Sequence, residues 1–162
     1  MVVVQKAVGE ETKTVSLLLA EGADMNSLYP HPLCPTVGRV TVECVSIDEF
    51  LAGKPVDVVK MDIEGHEPYA LMGMKQTIAV STAVTLFVEL NPACLRRAGV
   101  EAESFLARLA SLGFRAELID ERSRSLKPVT PSLLRLADSA PGWYANLLCV
   151  KGIPPVCSQD CG

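Results

Sequence analysis

Residues 56–68 read VDVVKMDIEGHEP, and the interpretation of the whole chain starts from this stretch. Its first half is a near-continuous apolar run that predicts a strand covered on both faces, as in a parallel sheet flanked by helices. A carboxylate-rich turn follows, and Gly65 closes it. Pro68 then falls in the first turn of the next segment, which is typical of a helix start.

Acidic residues cluster where this strand ends. In an open parallel sheet, ligands bind at the carboxyl ends of the strands. Residues i and i+2 of an extended chain project to one side, so Asp62 and Glu64 are expected to face one site, with Lys60 on the same side and able to pair with a carboxylate. Close acids repel one another unless a ligand, cation or basic partner is present. This favours a functional role for Asp62 and Glu64.

The other polar residues of the stretch are explained more simply by structure. Glu67, directly before Pro68, is predicted to satisfy the first turn of its helix and to interact with the helix dipole, with a functional role as the alternative. Gly65 is predicted to be a turn residue. His66 is predicted to be a partly exposed helix-start histidine rather than a catalytic one, and His31 to be a loop residue between two prolines.

Composition limits the classes of function. The chain has 162 residues, enough for one domain with a real core, and we expect that domain to cover residues 1–152. Its net charge is −4 and it has no extended basic run, so binding to nucleic acid or to an anionic membrane is not supported. It has neither an apolar segment of membrane-spanning length nor a signal-peptide pattern, so we expect a cytoplasmic protein.

The cysteines do not predict a metal site. Cys44 and Cys149 lie in apolar strands, where they are expected to be small core residues. Cys157 and Cys161 are close together within residues 153–162, which we expect to be a disordered tail with free thiols, a structural or functional pair being the alternative. The chain has only 2 histidines to complete a metal site, so none is predicted.

The rest of the chain predicts strands alternating with helices. Strands are expected at residues 2–8, 15–20, 39–45, 83–90, 114–119 and 144–150, and helices at residues 47–52, 67–80, 101–112 and 131–138. Ser46 is predicted to cap the helix at residues 47–52, with Glu49 at the spacing of a capping box. Asn91 and Pro92 are interpreted as a strand stop. From residue 56 onward the alternation predicts an α/β fold with a mostly parallel sheet, in which residues 144–150 form an antiparallel edge strand.

Several of these segments together resemble one family. Residues 60–67 (KMDIEGHE), followed by residues 70–73 (ALMG), resemble the Lys-x-Asp-x-Glu-Gly-x-Glu and Leu-x-Gly signature of FkbM-type S-adenosylmethionine-dependent methyltransferases. Residues 45–51 (VSIDEFL) are similar to the segment directly upstream in that family. Residues 85–90 (TLFVEL) and 145–150 (ANLLCV) resemble its next strand and its closing strand.

The resemblance covers residues 2–151 and implies a Rossmann-like class I methyltransferase fold with S-adenosylmethionine as cofactor. It implies O-methylation of a small-molecule or sugar hydroxyl. Such a transfer needs the acceptor held in line with the methyl group and a group that takes the hydroxyl proton. The implied catalytic residues are Asp62 and Glu64, with Glu89 supporting, and Asp62 is also the implied cofactor-binding residue.

One departure from the family is clear. Its members resemble other class I methyltransferases in opening with a glycine-rich turn that approaches the cofactor, and no Gly-x-Gly occurs in this sequence. We therefore expect an N-terminally incomplete domain that corresponds to the C-terminal two-thirds of the family's catalytic domain. The alternative is a truncated or degenerate domain without catalysis, an interaction module whose unpaired strand edges invite self-association. A metal-dependent hydrolase that uses the same acids is disfavoured by the shortage of histidines.

Overall fold

The computed structural model describes residues 1–21, 25–30, 34–140 and 142–152. The strands are β1 Ala7–Val8, β2 Lys13–Ala20, β3 Thr36–Val45, β4 Val58–Met61, β5 Val84–Leu90, β6 Arg115–Asp120, β7 Ser125–Pro128 and β8 Ala145–Lys151. The helices are α1 Ile47–Leu51, α2 Glu67–Met72, α3 Lys75–Val80, α4 Pro92–Arg97, α5 Ala102–Ser111 and α6 Pro131–Ser139.

The strands form two sheets. A small sheet has the order β1-β3-β2, with β1 parallel and β2 antiparallel to β3. A large sheet has the order β4-β5-β8-β6-β7. Its β4–β5 pair is parallel, whereas the β5–β8, β6–β8 and β6–β7 pairs are antiparallel. The α/β class is confirmed, but the expectation of a mostly parallel sheet is wrong, because the large sheet is mixed.

The last strand lies inside the large sheet. Residues 144–150 were expected to form an antiparallel edge strand, and β8 is indeed antiparallel, but it runs between β5 and β6. Leu147 and Cys149 are 0 % exposed, as befits a central strand. The edge is formed by β7, whose four residues are all exposed. Only one of them, Leu126, is apolar, so no strand was predicted there.

The other edge of the large sheet is β4. The sequence predicted this strand to be covered on both faces, and that expectation is wrong: Val58 is 64 % exposed while Met61 is 5 % exposed. Among the described strands β4 pairs only with β5, so one of its edges and part of one face meet solvent. Its position in the sheet, which periodicity cannot show, decides its burial.

The predicted helix at residues 67–80 is two helices. The break falls at Gly73, where an added Cβ would overlap the carbonyl oxygen of Gly9, so the turn after β1 packs directly on this glycine. The carbonyl of Gly73 accepts a hydrogen bond from the backbone N–H of Asp48 (2.8 Å). The carboxylate of Asp48 in turn accepts from the backbone N–H of Thr77 in α3 (2.7 Å). Tertiary contacts on both sides therefore end one helix and begin the next.

One helix cap was predicted from the sequence, and a second was not. Ser46 caps α1, accepting a hydrogen bond from the backbone N–H of Glu49 (3.2 Å), as its spacing predicted. Asn91 does end β5, but its side chain also accepts from the backbone N–H of Cys94 (3.2 Å) and so starts α4. Pro92 stands at the first position of that helix, where its missing N–H costs nothing.

The core lies on the large sheet. Its largest fully buried apolar side chains come from β5, β8, the helices α2 to α5 and the link between α2 and α3: they are Leu71, Met74, Ile78, Val84, Leu86, Val88, Leu90, Leu95, Phe105, Leu109 and Leu147. Cys44 and Cys149 are buried free thiols, as expected. The predictions for His31, Cys157 and Cys161 fall outside the described residues. In the described part of the chain, no helix is long and apolar enough to cross a membrane.

Candidate active site

Three carboxylates meet at the end of the two parallel strands. Asp62 directly follows β4, Glu64 lies two residues further on, and Glu89 is near the end of β5. The pairing of Met61 with Val88 places these strand ends side by side. One carboxylate oxygen from each of the three lies within 4.8 Å of the others. The structure thus brings together the three site residues predicted from sequence.

Residues 62–67 form a tight turn, which we call the carboxylate turn. Glu64 (φ 56°) and Gly65 (φ 96°) both adopt left-handed backbone. A Cβ at Gly65 would stand 2.5 Å from the carbonyl oxygen of Cys94, so only glycine fits here. Glu67 is 2 % exposed, and its carboxylate accepts a hydrogen bond from the backbone N–H of Ile63 (2.9 Å). Burial raises the pKa of Glu67, and backbone N–H groups of the turn oppose that rise. Glu67 therefore holds the turn that presents its neighbours.

Arg97 is a partner of Glu64 that sequence reasoning missed. It comes from α4, the helix that Asn91 caps, and its Nη2 lies 3.9 Å from Glu64 Oε2. The same Nη2 donates to the Sγ of Cys94 (2.7 Å), and Nη1 donates to the carbonyl of Pro30 (3.2 Å). The guanidinium of Arg97 thus places a positive charge beside the carboxylate of Glu64. The sequence carried one signal for this contact, the cap-and-proline start of a helix at Asn91.

The three carboxylates differ in their electrostatic surroundings. Asp62 pairs with Lys60 (3.0 Å), as their spacing predicted, and both side chains are half exposed. Glu89 has the least favourable surroundings for ionisation. Burial, and then the negative charges of Asp62, Glu64 and Glu67, raise its pKa to about 7, while a hydrogen bond from Asn91 opposes the rise. Glu89 therefore exchanges its proton near neutral pH, in the range that suits a general base.

His66 lies between two tyrosines. Its Nδ1 is 2.8 Å from the hydroxyl of Tyr29, and its ring stacks on Tyr69 with centroids 4.9 Å apart and an interplanar angle of 21°. Burial, and then the positive charge of Lys13, lower the pKa of His66 to about 4. The imidazole is therefore neutral at physiological pH. The prediction of a partly exposed residue at the start of a helix is confirmed, and Tyr29 is a partner that the sequence did not indicate.

A cavity of about 480 Å³ lies between the small sheet and the carboxylate turn. Asp62, Glu64 and His66 line it from the turn. The rest of the lining comes mainly from aliphatic side chains of the small sheet and its flanking segments, together with a few polar ones. Binding sites for small ligands are typically apolar concave sites of about 300–1000 Å³ with a few convergent polar groups. Size and lining together make this cavity the candidate substrate site.

The fold and the site together describe a class of protein: an α/β domain with acids at the carboxyl ends of two parallel strands and an apolar cavity beside them. Comparison with known families identifies it further. Residues 6–116 match the family described as the methyltransferase FkbM domain, which is more than half of the chain. The chain belongs to this family. No curated protein and no solved structure matches the chain.

Proposed function

We propose that this protein is an S-adenosylmethionine-dependent methyltransferase that methylates a hydroxyl group of a small molecule. The observation that carries the proposal is the meeting of Asp62, Glu64 and Glu89 beside the cavity in a chain of the FkbM family. The proposal includes a Rossmann-like class I fold, which the parallel β4–β5 pair with acids at its carboxyl end supports.

The carboxylates fit part of the implied cofactor. S-adenosylmethionine carries a positive sulfonium and an ammonium group, and a cluster of carboxylates attracts positive charge. No Gly-x-Gly turn occurs in the chain to approach the nucleoside half. Asp62, which is half exposed at the strand end, is the residue we assign to the cofactor. Oxygens at this spacing also suit a divalent cation, so the expected absence of a metal site stays a prediction.

S-adenosylmethionine, when bound, would supply the methyl group for the acceptor oxygen, and Asp62 is the residue that would hold this cofactor. The chain's own residues bind the acceptor and take its hydroxyl proton. Glu89 is the base: one of its carboxylate oxygens lies within 4.8 Å of those of Asp62 and Glu64, which line the cavity, and its raised pKa of about 7 suits proton acceptance at neutral pH. Glu64, beside Arg97, orients the acceptor.

The same proposal includes a cytoplasmic location. All four cysteines among the described residues, Cys34, Cys44, Cys94 and Cys149, are free thiols. Free thiols are expected in the reducing cytoplasm and are uncommon in secreted domains of this size.

Calorimetric titration with S-adenosylmethionine tests the cofactor assignment. We expect one-to-one binding by the wild-type chain and affinity about 10-fold or more weaker in Asp62→Asn, because hydrogen bonds to charged groups contribute about 1.5–3 kcal/mol. Asp57→Asn is the matched control, since Asp57 is exposed at the opposite end of β4. If the two variants behave alike, Asp62 does not hold the cofactor. If the wild-type chain binds no S-adenosylmethionine, the chain is not an autonomous methyltransferase.

One observation favours a second candidate, an interaction module without catalysis. β4 is an open edge of the large sheet among the described strands, and Val58 on it is 64 % exposed. Exposed strand edges pair readily with another strand. Light scattering across a concentration series distinguishes the candidates. An interaction module that pairs through β4 is expected to form a dimer, and Val58→Lys is expected to dissociate it. A monomer at all concentrations would contradict pairing between copies of the chain.

A further inference from the structure

His66 is in the cavity wall but plays no part in the chemistry assigned so far. It lines the cavity together with Asp62 and Glu64. Its Nδ1 is engaged by the hydroxyl of Tyr29 at 2.8 Å, and its ring is packed against Tyr69. A histidine that serves only to begin a helix needs neither of these contacts, and its side chain makes no capping hydrogen bond in α2.

The hydrogen bond with Tyr29 decides which ring nitrogen of His66 carries the proton. Burial raises the pKa of Tyr29 to about 12, so both Tyr29 and His66 are neutral at physiological pH. A neutral phenol is a stronger hydrogen-bond donor than acceptor, and the unprotonated nitrogen of a neutral imidazole is a strong acceptor. The hydroxyl of Tyr29 therefore donates to Nδ1, and the proton of the imidazole resides on Nε2.

Nε2–H is a donor that the described part of the chain leaves without a partner. No hydrogen bond from Nε2 to the described residues is present, and Nε2 is not a buried, unpartnered atom, so it remains accessible. It stands beside the backbone of Gly9, where an added Cβ would lie 3.0 Å away. Most other polar side chains of the lining are already engaged: Lys6 pairs with Glu43, and Asn26 accepts from the backbone N–H of Ala20.

The rest of the lining selects the kind of ligand. The lining outside the carboxylate turn is mainly aliphatic, with fewer polar residues. The larger aliphatic side chains are those of Val4, Val8, Leu17, Leu28, Val40 and Val42, and the polar ones are those of Gln5, Lys6, Asn26 and Ser27. A sugar bound against this wall would lose hydrogen bonds from water at several hydroxyls without recovering them. A compound with an apolar body and one or two oxygens would bury its body on the wall and keep its oxygens near the carboxylate turn.

We propose that His66 binds the acceptor of the methyl group through Nε2–H, that Tyr29 is a positioning residue which holds this tautomer, and that the acceptor is a hydroxyl compound with an apolar body. This proposal rests on the proposed methyltransferase function. It narrows the acceptor from any small-molecule or sugar hydroxyl to a hydroxyl compound with an apolar body. His66, Asp62 and Glu64 line the same cavity, so a ligand bound there lies next to all three residues.

Nuclear magnetic resonance of the full chain with ¹⁵N-labelled histidine tests the tautomer directly. The chain has only 2 histidines, so their ring signals are assigned with a single His31→Gln variant. We expect the Nε2–H form for His66 in the wild type and a mixture of both tautomers in Tyr29→Phe. The matched control is Tyr144→Phe, because Tyr144 is 61 % exposed and does not line the cavity. A wild-type Nδ1–H form, or unchanged tautomers in Tyr29→Phe, would overturn the assignment.

Titration of the same sample with 1-naphthol and with methyl β-D-glucopyranoside tests the ligand class. We expect 1-naphthol to shift the Nε2 signal saturably, with an affinity about 3- to 10-fold weaker in Tyr29→Phe and unchanged in Tyr144→Phe, as for the loss of one well-placed hydrogen bond. The glucoside is expected to leave the signal unchanged. A response to the glucoside alone, or to neither probe, contradicts the proposal.

This binding assay needs no methyl transfer, so its result is independent of the cofactor titration described above. If S-adenosylmethionine does not bind but 1-naphthol shifts His66, the methyltransferase function fails and the subsite stands. Where methyl transfer to 1-naphthol is measurable, Tyr29→Phe should raise KM about 3- to 10-fold and leave kcat within about 2-fold. A fall in kcat with KM unchanged would instead contradict a binding role for the pair.

Discussion

The two walls of the cavity are built differently. The carboxylate turn is anchored in the core: Glu67 is 2 % exposed, and Leu71 in the following helix is 0 % exposed. The small sheet faces it with little burial of its own, since its buried residues are confined to Cys44 and Val45 at the end of β3. Asp62 and Glu64 thus stand on the well-buried wall, with Glu89 next to them on β5, whereas the apolar contacts assigned to the acceptor stand on the less buried wall.

This difference suits a methyltransferase. Groups that take a proton or orient a hydroxyl must be held within a fraction of an ångström, and buried turns and strand ends provide that precision. A wall with little buried area opens locally at a lower free-energy cost, so it can admit and release an apolar ligand. Three substitutions test the comparison between the walls, beginning with the largest expected effect.

Gly65→Ala should weaken the well-buried wall most. The new Cβ would stand 2.5 Å from the carbonyl oxygen of Cys94, and the backbone is left-handed at φ 96°. Strain and overpacking together predict a loss of about 3 kcal/mol in the free energy of unfolding. Gly99→Ala is the control, because it has the same left-handed backbone (φ 77°) but open space around the Cβ. The Gly99→Ala variant should lose only about 1 kcal/mol in the free energy of unfolding.

Urea unfolding measures the loss in both variants. Equal losses would show that the carboxylate turn is not tightly packed.

Arg97→Met should weaken the connection between the two walls. Arg97 joins Glu64 of the carboxylate turn to the carbonyl of Pro30, in the segment between β2 and β3. Its removal leaves a largely buried carboxylate without a cation, which predicts a loss of about 2 kcal/mol. Hydrogen exchange should also increase in β2 and β3 more than in β5.

The control for Arg97→Met is Arg115→Met. Arg115 pairs with Glu117 at 3.4 Å but is 75 % exposed, and such pairs contribute less than about 1 kcal/mol. Uniform loss of exchange protection across both sheets in Arg97→Met would contradict the idea that this arginine holds the small sheet specifically.

Glu89→Gln should change the pH dependence of stability and activity. The pKa of Glu89 is raised to about 7 from 4.5, so its protonated form is favoured by folding. Its stabilising contribution is complete below pH 4.5 and is lost as the pH rises through about 7. At pH 8 the variant should therefore be more stable than the wild type, by on the order of 1 kcal/mol after allowance for solvent screening.

Methyl transfer by the wild type should rise with pH through about 7, because Glu89 must lose its proton to act as a base, and the variant should lack this rise. Glu121→Gln is the control, since it removes a charge from an exposed turn. Thermal unfolding and initial rates between pH 5 and about 9 check both expectations. A pH–rate profile that is unchanged in Glu89→Gln would exclude Glu89 as the base.

Much of the site was predictable because it is local in sequence. Asp62 and Glu64 lie two residues apart after an apolar strand, so their common direction follows from the geometry of an extended chain. Glu89 was predictable because the next strand after a helix in an α/β fold commonly pairs with the first. Arg97 and Tyr29 were not, because no periodicity or spacing in the sequence relates either of them to the turn. Each meets it through the packing of a separate element.

The sequence by itself determined the family, the acidic turn, the α/β class and the cap at Ser46. These depend on interactions over a few residues or on a motif that can be read directly. Only the tertiary structure decided that β8 lies between β5 and β6 and that a helix breaks at Gly73, where the turn at Gly9 packs. It also decided that β4 is an open edge among the strands that the structure describes. The physical reason is that strand order and close backbone packing depend on contacts between distant segments, and a local pattern of apolar residues is compatible with several such arrangements.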